Sequence, residues 1–285
     1  HAGNVYVLYG YSNLTSKWTT DSAISTIAQD KSRGRIIDGS DADMEIGITA
    51  PSLSIIGDVN GDNYDDIGIG AQMWGSSTGQ AFIVFGKPKS AAISPLFVTK
   101  NLSAANAIQI IGENSGYMFG SSISGCDVNC DGFVDVVIGA YGFSASSGRV
   151  YVIFGGPWAR NMTKSFSASS IGAGIPGIIF TGGSYYQLGF SVANAGDVNS
   201  DGCEDLLLGS HPRFSSGKAY VYFGKKNWTN TPINVNSIMG ADGVLINGAA
   251  GSDFFGISVS GKVDINDDGI CDFIVGASRS TLNSP

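Results

Sequence analysis

The sequence is short of charge, of proline and of residues that usually carry chemistry. Charged residues make up 14% of the 285-residue chain, well below the usual quarter. The formal net charge of −8 comes without a Lys/Arg cluster. Nucleic acid is excluded as a partner on that ground, because its phosphates need a basic patch. Only two histidines occur, His1 and the lone His211 in GSHPRF. No G-x-S-x-G is present, and outside the acidic loops Glu45 and Glu113 stand isolated, so no acid/base pair or nucleophile is visible. No apolar run approaches the ~18 residues of a membrane span. The chain begins at His1 without a Met and without a leader, which reads as a processed or excised segment.

Glycine, by contrast, is abundant at 41 residues, and the apolar content of 43% is enough for a sizeable core. Many glycines among β-branched and aromatic residues predict short strands joined by tight turns. Their arrangement is periodic. GDVNGDNYDDIGIGA, CDVNCDGFVDVVIGA, GDVNSDGCEDLLLGS and VDINDDGICDFIVGA begin at Gly57, Cys126, Gly196 and Val263. Their leading aspartates are spaced by 69, 70 and 67 residues. That interval suits a four-stranded blade with generous loops.

The flanks repeat too. Alternating segments stand before the loops (FGSSIS, LGFSVA, FGISVS, and a weaker IGITA) and after them (GQAFIVFG, GRVYVIFG, GKAYVYFG). A further copy, GNVYVLYG, precedes the first loop, and a short strand closes each unit. The expected fold is therefore all-β: a β-propeller of four-stranded antiparallel blades, about four blade-equivalents in a single domain. It divides into a half-blade at 1–40, repeats at about 41–111, 112–182 and 183–247, and a half-blade at 248–285. The half-blades are complementary. They either close a four-bladed ring or are cut edges of a larger propeller.

Each acidic loop reads D-x-N-x-D-x-x-x-D. Positions 1, 3, 5 and 9 are Asp58, Asn60, Asp62, Asp66; Asp127, Asn129, Asp131, Asp135; Asp197, Asn199, Asp201, Asp205; and Asp264, Asn266, Asp268, Asp272. Hard oxygen donors at alternate positions converge on one cation when a loop curls. The backbone carbonyl at position 7 (Tyr64, Phe133, Cys203, Ile270) completes the shell. Three carboxylates and an amide suit Ca²⁺, and no Cys or His is placed to favour zinc. An EF-hand is rejected: position 12 holds Ile69, Ile138, Leu208 and Val275 instead of Glu, and a strand follows. One copy alone would read equally well as a turn, but four copies in register point to four calcium sites. Four Ca²⁺ ions would cancel the formal −8.

All four cysteines sit at these loops. Cys126 and Cys130 bracket one loop's first ligands at a spacing short enough for a small disulfide. Cys203 and Cys271 either bridge or stay free, since spacing does not fix connectivity. Sequons at Asn13, Asn101, Asn161 and Asn227 predict glycosylation and an extracellular, secreted or cell-surface setting.

The F-G, D-x-N-x-D-x-x-x-D, G-A-P order resembles the FG-GAP repeats of integrin α-subunit propellers. The third element reads GAQ at Gly70, GAY at Gly139, GSHP at Gly209 and GAS at Gly276. The likeness covers nearly the whole chain, although integrin propellers have seven blades. It implies an extracellular adhesion or structural scaffold for a protein ligand, with calcium stabilising the loops. The ligand is implied on the face opposite the calcium, where loops carry Trp74, Tyr117, Tyr141, Phe143, Tyr185, Tyr186 and Phe214. The sequons fall on the calcium side. The alternatives are a carbohydrate-binding propeller and an accessory domain of a secreted polysaccharide-processing enzyme. No catalytic residue is assigned.

Overall fold

The computed structural model describes residues 3–10, 34–39, 45–47, 50–88, 96–98, 106–162, 165–211, 216–238, 240–251 and 253–280. Almost all regular structure in it is β. β1 (Asn4–Leu8) pairs antiparallel with β2 (Gly34–Asp38). A first complete blade holds β3 (Leu53–Gly57), β4 (Asp66–Ala71), β5 (Gln80–Val84) and β7 (Ala107–Ile111). A second holds β8 (Ile123–Cys126), β9 (Asp135–Ala140), β10 (Arg149–Ile153) and β12 (Gly177–Thr181). A third holds β13 (Leu188–Gly196), β14 (Asp205–Ser210), β15 (Lys218–Tyr222) and β17 (Gly243–Asn247). The last sheet is the pair β18 (Phe255–Val263) and β19 (Asp272–Ala277).

The bladed, all-β fold read from the repeat is the fold observed, with one addition. Between the third and fourth strands of a blade, a short strand crosses to the preceding blade and pairs there in parallel. β6 (Leu96–Val98) joins β2, β11 (Ser165–Ser167) joins β7, and β16 (Ile233–Asn234) joins β12. These clasps satisfy outer-edge backbone groups that would otherwise invite pairing with another chain. The ring is not closed: among the described residues β1 pairs only with β2, and β19 only with β18.

Blades pack face to face, which explains their sequence pattern. An antiparallel strand with one wet face alternates, but β9 (DVVIGA) and β14 (DLLLGS) are buried throughout. Neighbouring blades cover both faces of these strands. The largest core spans the first and second blades and includes Ile83, Ile110, Phe119, Ile138 and Tyr151. A second core continues through Val150, Phe180, Leu206 and Tyr220 into the third blade.

The recurrent glycines are made necessary by the seams. A Cβ on Gly139 would overlap the carbonyl oxygen of Gly189 in the next blade, and Gly70 and Gly209 stand in the same relation to Gly120 and Gly256. Across the same seams Ser122 Oγ donates to Gly189 O and Ser191 Oγ to Gly256 O, each at 2.8 Å. The F-G and G-A elements are thus two halves of one contact.

Candidate metal centre and candidate ligand face

The acidic loops are the β3–β4, β8–β9, β13–β14 and β18–β19 connections, all at one end of the blades. Each curls around its first aspartate. Asp127 Oδ1 accepts from the Asp131 amide and Oδ2 from the Gly132 amide; Asp197 and Asp264 do the same with Asp201, Gly202 and Asp268, Gly269. Asp58 accepts from Gly61, Asp62 and Asn63. The position-5 carboxylate accepts from the amide of position 7 in every loop. In the last three loops the position-3 Asn side chain donates to that carboxylate.

The position-9 aspartate anchors the curl to the sheet. Asp66, Asp135 and Asp205 are fully buried. Their Oδ2 atoms accept from Val59, Val128 and Val198, and their Oδ1 atoms from Gly86, Gly155 and Gly224 at the ends of β5, β10 and β15. Desolvation pushes these carboxyls up, to about 7 for Asp66, about 8 for Asp135 and about 6 for Asp205. The carboxylates at positions 1 and 5 of the same loop add to the rise by repulsion. In each loop a nearby cation would favour the ionised form of the raised carboxyl.

Among the described residues no three Asp, Glu, His or Cys side chains stand close enough together to hold an ion. The donor set nonetheless fits a hard cation once an amide oxygen and a backbone carbonyl are counted. In the first loop Asn60 Oδ1 is buried with no hydrogen-bond partner, an unmet acceptor at a position where the D-x-N-x-D pattern calls for a ligand.

The loops stand in a row, position 8 of one against position 1 of the one before. The Val134 amide donates to Asp58 O (3.2 Å) and the Cys271 amide to Asp197 O (3.4 Å). The row corrects the disulfide expectation. Cys130 bonds to Cys203 of the next loop, not to Cys126, and Cys203 does not bond to Cys271. Cys126 belongs to β8 and faces inward, its Sγ 3.6 Å from Asp205 O. Cys130 sits at position 4, which points along the row. Arg160 braces the first loop from the second blade, donating through Nε to Asn60 O (2.8 Å) and through Nη2 to Gly61 O.

At the opposite end lie the β4–β5 and β9–β10 connections, with single irregular helical turns α1 (Trp74–Ser77) and α2 (Phe143–Ser146). The expected aromatic residues do not form one patch. Trp74 packs against the core cluster that includes Val5 and Phe82. Tyr117 meets Phe143 edge-on at 4.7 Å, and Arg149 lies 3.4 Å from the Phe143 ring centre. Arg149 also pairs with Glu113 at 2.9 Å, and the Tyr151 hydroxyl donates to the same carboxylate. Tyr186 carries Lys218 over its ring at 4.4 Å. Tyr185 is 61% exposed.

Tyr141 contacts Phe190, which stacks on His211, which meets Phe254, with Arg279 over the Phe254 ring. Phe190 and Phe254 were missed because each reads as part of a strand entry. His211 is wedged between them and bonded to Gln187 at 3.2 Å; burial lowers its pKa. Its contacts place it among the rim aromatics. Tyr141 and Phe190 also line a cavity of about 640 Å³ between the inner strands β3, β8, β13 and β18. Asn227 is exposed. Asn13, Asn101 and Phe214 lie outside the described residues, as does the side chain of Asn161.

The FG-GAP repeat family matches residues 119–153, from Phe119 through the second acidic loop to the end of β10. Residues 119–153 are thus an FG-GAP repeat, and the chain as a whole is similar to integrin α chains. It is 29% identical to chicken (Gallus gallus) integrin alpha-6 over 70% of its length, and 30% identical to mouse (Mus musculus) integrin alpha-E over 61%. It is 27% identical to Drosophila melanogaster integrin alpha-PS2 over 79%. It spans only 17%, 14% and 15% of those proteins. Its Cys130–Cys203 bridge is a cross-link of the kind that persists in oxidising compartments. No described helix is long and apolar enough to cross a membrane.

Proposed function

We propose that this FG-GAP propeller is an extracellular calcium-binding scaffold of the adhesion type. In this reading Ca²⁺ fixes the four acidic loops, and the opposite face presents side chains to a protein ligand. One observation carries the metal half: three position-9 carboxylates, pushed up by burial and further by their own loops' charges, belong to loops that repeat one oxygen-donor pattern. Calcium would relieve that repulsion. With ~1 mM free calcium and a Kd of ~10⁻⁴ M, each site would add about 1.4 kcal/mol. The likeness to integrin α chains and the exposed Tyr185 support the ligand half. We take 1–285 as one propeller segment with the boundaries given by the repeat, glycosylated at its sequons, within a larger protein. No catalytic role is assigned.

Calorimetric titration of EDTA-stripped protein tests the metal half. Four equivalents of bound calcium and a higher melting temperature are expected; no binding and an unchanged melt would refute it. The ligand half is tested by immobilising the chain over a cell-surface extract in calcium. A protein should be retained, released by EDTA and lost with Tyr185→Ala. Retention of glycan alone would replace this reading with the carbohydrate-binding one.

A further inference from the structure

The seam between the first and second blades closes on an internal carboxylate. Arg149 and Tyr151 stand two residues apart on β10, so they share one face of the strand. Both reach Glu113, in the connection between β7 and β8. Glu113 accepts from Arg149 Nη1 at 2.9 Å and from the Tyr151 hydroxyl at 2.7 Å. One carboxylate thus satisfies a buried hydroxyl and a guanidinium together.

The next seam repeats the donors and lacks the acceptor. Lys218 and Tyr220 hold on β15 the places of Arg149 and Tyr151 on β10. Lys218 pairs with Ser210 and Asn247 as Arg149 pairs with Ala140 and Thr181. Glu113 follows Gly112, whose amide donates to Gly79 O; the equivalent Gly182 donates to Gly148 O, and the residue after it is Gly183. Tyr220 is fully buried, and its hydroxyl has no hydrogen-bond partner. A buried donor left in that state costs stability. Among the described residues Lys218 pairs with no carboxylate. Its ammonium meets Tyr186 instead, 4.4 Å from the ring centre and 3.4 Å from the hydroxyl.

Tyr186 fills the space without supplying what is missing. A Cβ on Gly183 would come within 2.8 Å of both Tyr186 Cε2 and Asn236 Nδ2. The Tyr186 ring therefore lies against Gly183 and beneath Lys218, over the seam. It offers Lys218 a π face and gives the Tyr220 hydroxyl no acceptor. The backbone on either side of Tyr186 is strained, with φ of 63° at Tyr185 and 51° at Gln187. Such strain persists only while neighbouring contacts hold it, and it marks turns that change on binding. Tyr185 is exposed, so an incoming chain reaches this turn directly.

We propose that this seam is a carboxylate-binding subsite. An Asp or Glu side chain of the protein ligand turns the Tyr186 ring aside and takes the place that the Glu113 carboxylate has in the preceding seam. It accepts from the Tyr220 hydroxyl and from Lys218 Nζ, with Asn236 Nδ2 as a further donor beside them. The subsite deepens the ligand half of the proposed function and rests on it for the source of the carboxylate. Every residue it uses belongs to the second or third blade or to the connection between them.

NMR titration of the chain in calcium buffer with acetyl-Gly-Glu-Gly-amide, and with its Gln counterpart, tests this. The Glu peptide should bind about tenfold more tightly, the worth of one charge-assisted pair. It should also shift the ring resonances of Tyr186 and Tyr220. Lys218→Met and Tyr220→Phe should each cut the preference to about twofold or less. Tyr220→Phe keeps the ring and matches Phe82 at the same place on β5, so it should melt no lower than the native protein. Equal binding of the two peptides would overturn the proposal. A preference lost in Lys218→Met but kept in Tyr220→Phe would overturn it too, leaving only surface charge attraction. A cell-surface protein retained without any Glu preference would sink the subsite and leave the ligand half standing. A Glu preference with no protein retained would support the subsite while the ligand half fails.

Discussion

Cys130 and Cys203 lie with their Cα atoms 5.1 Å apart, joining position 4 of the second acidic loop to position 7 of the third. The same pair of positions meets between the first and second loops without a bond, where a Cβ on Gly61 would overlap the Phe133 ring. The bridge is therefore a covalent version of a contact that the repeat makes anyway. It joins a residue beside one candidate site to the residue whose carbonyl would complete the next.

The bridge closes a segment of 73 residues, for which chain entropy alone gives about 4 kcal/mol. Cys130→Ser with Cys203→Ser should lower the melting temperature by several degrees. It should also weaken calcium binding at two of the four sites. Thermal melts and calorimetric titration, with and without a reductant, check this. An unchanged melt would show that the surrounding loops hold the seam unaided.

The buried carboxylates predict an unusual pH response in the metal-free protein. Asp66, Asp135 and Asp205 have folded values of about 7, 8 and 6, all above the ordinary value near 3.9. Between the unfolded and folded values the native state binds more protons, so stability falls as pH rises. In EDTA the melting temperature should decline from about pH 4 to about pH 8. In calcium that decline should shrink or reverse, because the cation favours the ionised form. Matching slopes in the two buffers would contradict metal binding at these loops.

Gly139→Ala tests the seam. The added methyl has only the Gly189 carbonyl and Ser122 hydroxyl to displace, and overpacking against backbone costs on the order of 3 kcal/mol. Gly174 is the matched control, since a Cβ there has nothing within 4 Å and its φ is not positive. Soluble yield and urea unfolding should separate the two variants, with Gly174→Ala close to the native protein.

The repeat exposed most of the fold to a reader of sequence because each signal in it is local. Alternation marks strands, D-x-N-x-D marks a curled loop, and glycine marks a turn or a close approach. Register among four copies is what sets the acidic loops apart from scattered turns in the sequence. The clasps β6, β11 and β16 were not legible, since two or three residues added in parallel to another blade carry no periodicity. The disulfide was not legible either. Cys126 and Cys130 are close along the chain, but the row of loops brings Cys130 to Cys203 instead.

Sequence by itself determined the strands, the blade repeat and the oxygen-donor pattern. Only tertiary structure decided which of these equivalent elements are buried. DVVIGA of β9 and DFIVGA of β19 are near copies, yet β9 is buried throughout and β19 is not. Val128 and Ile265 hold the same loop position, and they are 0% and 64% exposed. Burial is a property of what lies across the seam, and the repeat pattern of one blade does not record it.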